Sequence, residues 1–177
     1  QVDRLMRILN SGRHLLELIN SLLDLSKIES GQMELQKTEF DIEKLLCDVV
    51  ELLEPLMQEK ALLHKLIIQS EHQIMLFTDY GKLRQVFINL LGNAIKFSDI
   101  KGHIWINCWK DEKGISIAIE DRGCGIAEHE QQQIFEVFHQ AESSADNKQN
   151  GTGLGLALVK NLVKLLGGSV SLKSKYG

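Results

Sequence analysis

Asn89, Asn93 and Lys96 stand in the segment Asn89-Leu-Leu-Gly-Asn93-Ala-Ile-Lys96, spaced four and three residues apart. On a helix that spacing lines the three side chains along one edge. Amide oxygens are hard neutral ligands suited to a magnesium ion that already carries phosphates, and a neighbouring ammonium can meet the phosphates themselves. Taken alone, the pattern also describes a solvated polar face, because Asn is an ordinary helix-surface residue. The adjacent Leu90, Leu91, Ala94 and Ile95 put these amides at the border of a core, which weakens the plainer reading.

Asp121 closes a strand-like run and is followed by glycines in Asp121-Arg-Gly123-Cys-Gly125-Ile126. A carboxylate there can accept a hydrogen bond from the exocyclic amine of adenine, and the glycines let backbone approach the ring edge. By itself, a strand ending in Asp and glycines is usually a turn. Cys124, between the glycines, reads as a small filler rather than a nucleophile. A third segment, Asn150-Gly151-Thr152-Gly153-Leu154-Gly155-Leu156, opens a helix and would expose backbone N–H groups to phosphate oxygens with the helix dipole assisting. Its spacing is neither the dinucleotide G-x-G-x-x-G nor the Gly-Lys-Ser/Thr of a P-loop. A glycine hinge is the alternative, but the three segments together, in this order, describe a holder for ATP and its magnesium.

The elements that must position these groups follow from periodicity. Leu5, Ile8, Leu9, Leu15, Leu16, Ile19, Leu22, Leu23 and Ile28 recur three or four apart and predict one long amphipathic helix over 5–28 that suits a coiled coil or four-helix bundle, ended by Ser30-Gly31. A strand around 33–40 is expected next, then a helix capped by Asp41 and running to about Lys60 with Pro55 inside or kinking it. Strands are expected over 62–70 and 74–78, and a helix from Asp79 or Gly81 carries the amides. His103 to Trp109 and Ile115 to Glu120 alternate as a hairpin around Lys110-Asp-Glu-Lys-Gly114. From 122 to 150 polar residues dominate apart from Ile134-Phe135 and Val137-Phe138, which suggests a flap with an aromatic anchor. Leu154 to Leu166 predicts the last helix, and Ser169 to Ser174 a final strand.

Bulk properties set limits. The 177 residues, 44% hydrophobic and 25% charged, suffice for one good core plus an appendage. With 20 Lys and Arg against 24 Asp and Glu, the net charge of -4 argues against nucleic acid or an anionic membrane as the main partner, so any phosphate site must be built locally. Cys47, Cys108 and Cys124 form no C-x-x-C pair, so neither a disulfide framework nor a zinc site is indicated, and a reducing cytosol is the default. No run approaches the roughly 20 apolar residues of a membrane span, and no signal peptide opens the chain. A first residue Gln1 and an end just after a strand-like stretch suggest a piece of something longer.

The chain resembles the ATP-binding catalytic domain of a sensor histidine kinase, preceded by the second helix of its dimerisation domain. Asn89 to Ser98 is similar to the family's N box, Asp121 to Ile126 to the first glycine box, Phe135-Glu-Val-Phe138 to the phenylalanine box and Gly151 to Leu156 to the second glycine box. Leu22-Leu-Asp24-Leu-Ser26-Lys27-Ile-Glu29-Ser-Gly31 resembles the junction common in hybrid kinases. The resemblance implies an α+β Bergerat-type ATP-binding sandwich, a mixed sheet backed by helices, with 1–31 belonging to the dimerisation domain and 32–177 to the catalytic domain without its last strand. It implies ATP and Mg2+ as cofactors. Asn93 would bind the metal, and Asn89 would support it or polarise the reaction. Lys96 would contact phosphates. Asp121 would read adenine, with Gly123, Gly125 and Ile126 shaping its pocket. Phe135 and Phe138 would seat a lid that Lys148, Gly151, Thr152, Gly153, Leu154 and Gly155 close over the phosphates. Asn150 stands where the family usually has the first of paired glycines.

The implied activity is transfer of the ATP γ-phosphoryl group to a His on the dimerisation domain and onward to a receiver Asp. None of the six His, His14, His64, His72, His103, His129 and His139, has the context of that phosphoacceptor, so this stretch should bind ATP without phosphorylating itself. The expected partners are a response-regulator receiver domain and, through the helical bundle of the intact protein, a second copy, in a cytosolic module that a larger receptor could anchor to a membrane. Two other classes stay open. One is an ATPase of the gyrase, mismatch-repair or chaperone type, in which a Glu at the position of Asn89 activates water. The other is an ATP-sensing or dimerisation module without turnover. A serine kinase on the same fold is disfavoured by the coiled-coil helix.

Overall fold

A computed structural model describes residues 2–70, 72–112, 114–140 and 151–176. Helix α1 spans Val2–Glu29. It stops where Gly31 adopts φ 68°: Gln32 N–H donates to Lys27 O at 2.9 Å and Gly31 N–H to Ile28 O at 3.1 Å, so a left-handed glycine satisfies the last carbonyls. Strand β1 covers Lys37–Asp41, and α2, Ile42–Glu59, starts on Asp41, whose carboxylate accepts from Glu43 N–H at 3.0 Å. Strands β2 (Leu63–Gln69) and β3 (Met75–Asp79) lead to α3, Tyr80–Phe97. Its cap, Asp79, is 7% exposed; one carboxylate oxygen accepts from Lys82 N–H at 2.9 Å, the other from Gln36 N–H at 2.8 Å. One side chain thus starts the helix and pins the chain entering β1. Strands β4 (His103–Asp111) and β5 (Gly114–Asp121) form the expected hairpin, a 3-10 turn covers Gln133–Phe135, and α4 is Gly155–Leu165.

The strands make an antiparallel pair, β1 with β3, and a mixed sheet β2-β4-β5 in which β2 runs parallel and β5 antiparallel to β4. The register sets Ile106 opposite Ile119 and Cys108 opposite Ile117, so alternate side chains face one way. They meet Ile42, Leu45, Leu46, Val49, Leu53 and Met57 of α2 and Phe87, Leu91, Ala94 and Ile95 of α3 in the main core. Each such aliphatic side chain stabilises the fold by about 1.5–3 kcal/mol through removal from water. A second cluster joins Leu25 of α1 to Val86 of α3 and to Leu154, Leu158, Val159 and Leu162 at α4. The C-terminal end of the long helix therefore packs inside this chain. Its upper stripe, Leu5, Ile8, Leu9, Leu15, Leu16 and Ile19, stays 46% to 69% exposed.

Two expectations are corrected. The strand expected over 33–40 begins only at Lys37, because Met33 packs against the α1–α4 cluster and Gln36 is held by Asp79. The strand expected over Ser169 to Ser174 has no ladder. That segment is instead tied by single bonds: Ser174 Oγ accepts from Ile126 N–H at 2.9 Å and Ser174 O from the Gln131 amide at 3.0 Å. Among the described residues no helix is long and apolar enough to cross a membrane.

Candidate functional site

Helix α3 presents Asn89, Asn93 and Lys96 half-buried beside its core face. The Asn89 amide nitrogen donates to Gln85 O at 3.0 Å, one turn back, which turns the amide oxygen outward. That oxygen lies 3.1 Å from where a Cβ on Gly155 would stand, and Lys96 Nζ lies 3.0 Å from the Cβ position of Gly151. The amide and ammonium edge of α3 therefore faces the bare backbone that opens α4. The start of α4 has no side-chain cap; Thr152 Oγ1 accepts from Leu154 N–H at 3.2 Å, and the N–H groups beyond are those a helix start offers to an anion. Burial pushes the Lys96 pKa below the ordinary lysine value. An ammonium short of water gains most from an anion.

The next residue serves the other segment. The Phe97 carbonyl oxygen lies 2.4 Å, and Asp121 Oδ1 2.9 Å, from the Cβ position of Gly123, so no side chain fits there. Gly123 N–H donates to Asp121 Oδ1 at 2.9 Å and fixes the carboxylate's orientation. Asp121 is exposed by surface area, yet the protein packed round its carboxyl raises its pKa; the Gly123 bond opposes that rise and the charge of Glu120 adds to it. Gly125, at φ 69°, is overlain by the Lys175 backbone, and Ile126 is half-buried. Cys124 is exposed.

The lid-side residues divide. Gly153, at φ 69°, is crossed by the Phe138 backbone, whose N–H donates to Gly153 O at 3.0 Å. The Phe138 ring is 62% exposed, and the member of this run that enters the core is Ile134, 5% exposed. Lys148, like Asn150, lies outside the described residues. Two clefts, of about 280 and 630 Å3, open elsewhere, beside Asp24 and Lys82 and beside Phe135 and Lys160. The second takes in Phe135 of the lid-seating pair, but neither includes Asn89, Asn93, Lys96, Asp121 or the glycines, so the site is defined by its donors and bare backbone rather than by an enclosed volume. Lys60 escaped the sequence reading: its Nζ donates to Lys96 O at 2.6 Å and Ser98 O at 3.0 Å, closing the last carbonyls of α3. No sequence pattern marks it, because the contact is long-range.

A mixed sheet backed by helices, with a cationic helix edge facing an uncapped glycine-rich helix start, defines an α/β sandwich built to hold a phosphorylated ligand. The chain belongs to the histidine kinase-, DNA gyrase B-, and HSP90-like ATPase family, whose model matches residues 78–177. It takes the Bergerat ATP-binding fold in the form of a histidine kinase catalytic domain. It is 40% identical over 182 residues to the circadian input-output histidine kinase CikA of Synechococcus elongatus, covering 100% of this chain and 24% of that protein. It is 37% identical over 180 residues to the signal transduction histidine-protein kinase BarA of Escherichia coli K12, covering 99% and 20%. The structure of full-length ShkA in complex with AMPPNP matches with a TM-score of 0.82 at 32% identity, over 95% of this chain and 34% of that one. The chain thus spans about a quarter of the length of such curated relatives.

Proposed function

We propose that this chain is the nucleotide-holding half of a kinase that moves the γ-phosphoryl group of ATP to a His imidazole on a dimerisation domain, from which a receiver Asp takes it. The carrying observation is the opposition of Lys96 Nζ and Asn89 Oδ1 to the backbone of Gly151 and Gly155. Phosphoryl transfer asks a protein mainly to position the groups and neutralise charge. Lys96 supplies a cation beside Gly151, and the backbone N–H groups of Gly151, Thr152, Gly153 and Gly155 supply donors at the opening of α4, where the Leu154 N–H is held by Thr152 Oγ1. Asp121 accepts from the adenine amine, with Gly123, Gly125 and Ile126 beneath the ring, and Phe138 and Lys148 belong to the lid. The donor set fits Mg2+: amide oxygens of Asn93 and Asn89 are hard ligands, and two neutral ligands leave room for phosphate oxygens and water. Bound there, the ion would neutralise charge on the phosphates.

Residues 1–31 then act as the second helix of the dimerisation domain and 32–177 as the catalytic domain. The exposed stripe of α1 supports assembly with a second copy in the intact protein. The partner downstream is a receiver domain, and the module works in the cytosol. Hydrolysis in the manner of a gyrase-type ATPase is disfavoured because the amide of Asn89, already bonded to Gln85, cannot take a proton from water. With γ-labelled ATP, this chain should acquire no acid-labile label. It should label a separate polypeptide carrying the phosphoacceptor helix pair of a related kinase, and Lys96→Met should abolish that transfer. Release of inorganic phosphate without labelling of any His would overturn the kinase reading in favour of an ATPase.

A further inference from the structure

Helices α2 and α3 lie side by side and run the same way: Tyr80 Oη donates to Asp48 Oδ2 at 2.8 Å near their starts, and Lys60 Nζ donates to Lys96 O at 2.6 Å at their ends. Asp48, Leu52, Leu56 and Lys60 follow at intervals of four, so they form one stripe, and both ends of it touch α3. The two leucines between lie along the same seam yet stay 49% and 47% exposed. On the α3 side, successive turns from Tyr80 carry Arg84, Ile88 and Gly92. Ile88 is half-buried against the main core, and a Cβ on Gly92 would meet nothing within 4 Å. Glycine inside a helix is less stable than alanine, and here no neighbour among the described residues requires it.

The rim of this seam is acidic. Glu43, Asp48, Glu51, Glu54 and Glu59 of α2 stand against Lys44, since Lys60 just beyond the helix is bound to the α3 carbonyls. Arg84 supplies a cation on the α3 side, near Tyr80. The charges of Glu43, Asp48, Asp41 and Glu51 add to burial in raising the pKa of the exposed Cys47 thiol, so the field over α2 is negative. Pro55, having no N–H, also leaves the Glu51 carbonyl without its helical donor, which adds an acceptor there. Exposed leucines on a negatively charged helix face call for a partner that is both apolar and cationic.

We propose that the seam of α2 and α3 is a docking face for a basic amphipathic helix of another polypeptide. Its aliphatic side chains at i and i+4 cover Leu52 and Leu56 and pass over Gly92, while its Lys and Arg residues meet Glu51, Glu54 and Glu59. From Asp48 to Lys60 the helix rises about 18 Å, which accommodates a partner of about three turns. In such a contact the apolar anchors give affinity and the charges select the partner. The same rim repels anionic lipid. Asn89 and Lys96 face the start of α4 from another edge of α3, so this inference stands apart from the nucleotide reading.

The probe is a fluorescein-labelled peptide of about three helical turns, with leucines at i and i+4 and lysines on both flanks, titrated by anisotropy against the 177-residue chain. The wild type should bind it saturably, about 10-fold more weakly at high salt than at low. Leu52→Gln with Leu56→Gln should stay folded by circular dichroism and bind about 10-fold more weakly. That difference separates this face from the exposed stripe of α1. Glu51→Lys with Glu59→Lys should weaken the same peptide and gain affinity for a version with glutamates in place of its lysines. Gly92→Ala should raise the melting midpoint while binding the peptide several-fold more weakly, a split that a merely structural glycine does not give. No binding by the wild type, or an affinity that neither the leucine pair nor the charge reversal changes, would overturn the proposal. So would self-association of the wild type in sedimentation that the leucine pair abolishes, which would give the face to a second copy.

Discussion

The same substitution made two residues apart, Gly151→Ala and Gly153→Ala, should give opposite signatures. Gly153 sits at φ 69°, where an L side chain costs about 1–2 kcal/mol. Its new Cβ would lie 2.7 Å from the Phe138 carbonyl carbon, 2.8 Å from Phe138 Cα and 3.0 Å from His139 O. These are backbone or backbone-borne atoms that cannot swing aside, so the Phe138 N–H to Gly153 O bond breaks as well, a further loss of about 0.5–1.5 kcal/mol. Gly153→Ala should therefore lose about 2–3 kcal/mol, read as a fall of about 5–10 °C in melting midpoint for a domain of this size. At Gly151, among the described residues, the Cβ would meet Lys96 Nζ at 3.0 Å, the end of a flexible chain. Gly151→Ala should change stability by less than about 0.5 kcal/mol. By displacing the ammonium it should weaken ATP by about 10-fold. Scanning calorimetry without nucleotide and titration with an ATP analogue separate the two. Equal destabilisation by both, or a Gly151→Ala protein with wild-type affinity, would refute the placement of Lys96 over Gly151.

Charge burial makes a second prediction. Asp121 has a folded-state pKa raised by desolvation, so its contribution favours folding at low pH, when it is protonated, and is lost as pH rises through that value. Lys96 has a lowered value, so its contribution is present at high pH and is lost as pH falls through it. At neutral pH both groups oppose folding, and Asp121→Asn and Lys96→Met should each raise the melting point of the empty protein while weakening ATP. ATP affinity should decline on the acid side above the ordinary Asp range and on the alkaline side below the ordinary Lys range, as a pH series of titrations would record. Leu25→Ala, at 4% exposure between α1 and α4, should lose about 2–5 kcal/mol in denaturant unfolding, and Leu23→Ala, 52% exposed, almost nothing. Lys60→Met leaves the α3 carbonyls of Lys96 and Ser98 without their cation and should cost about 1–3 kcal/mol in the same assay.

Where the fold was legible, local chemistry sufficed. Asp41 and Asp79 cap their helices as short polar side chains do, Gly31 ends α1 in the left-handed conformation, and the hairpin of β4 and β5 follows from alternation around Gly114. What stayed hidden depends on partners far along the chain. Ser169 to Ser174 alternates like a strand, but a strand exists only if a neighbour supplies the ladder, and here the contacts are single bonds to Ile126 and Gln131. Of the aromatic anchor expected at Phe135 and Phe138, Phe135 is half-buried beside the buried Ile134, whereas the Phe138 ring is exposed; its φ is positive and its backbone meets Gly153. At the site, the spacing of Asn89, Asn93 and Lys96 gave a shared edge, and only the folded chain could show that Lys96 faces one glycine segment while Phe97 O faces the other. The role of Lys60 had no sequence signature, since it is defined by what lies across the fold.

The most direct measurement of the central claim is calorimetric titration of this chain with a non-hydrolysable ATP analogue, with and without Mg2+, beside Asn93→Ala, Lys96→Met and Asp121→Asn. The account predicts binding that Mg2+ strengthens, a Mg2+ gain lost in Asn93→Ala, and affinity reduced in Lys96→Met and Asp121→Asn. Wild-type binding that all three substitutions leave unchanged, or no binding at all, would contradict it.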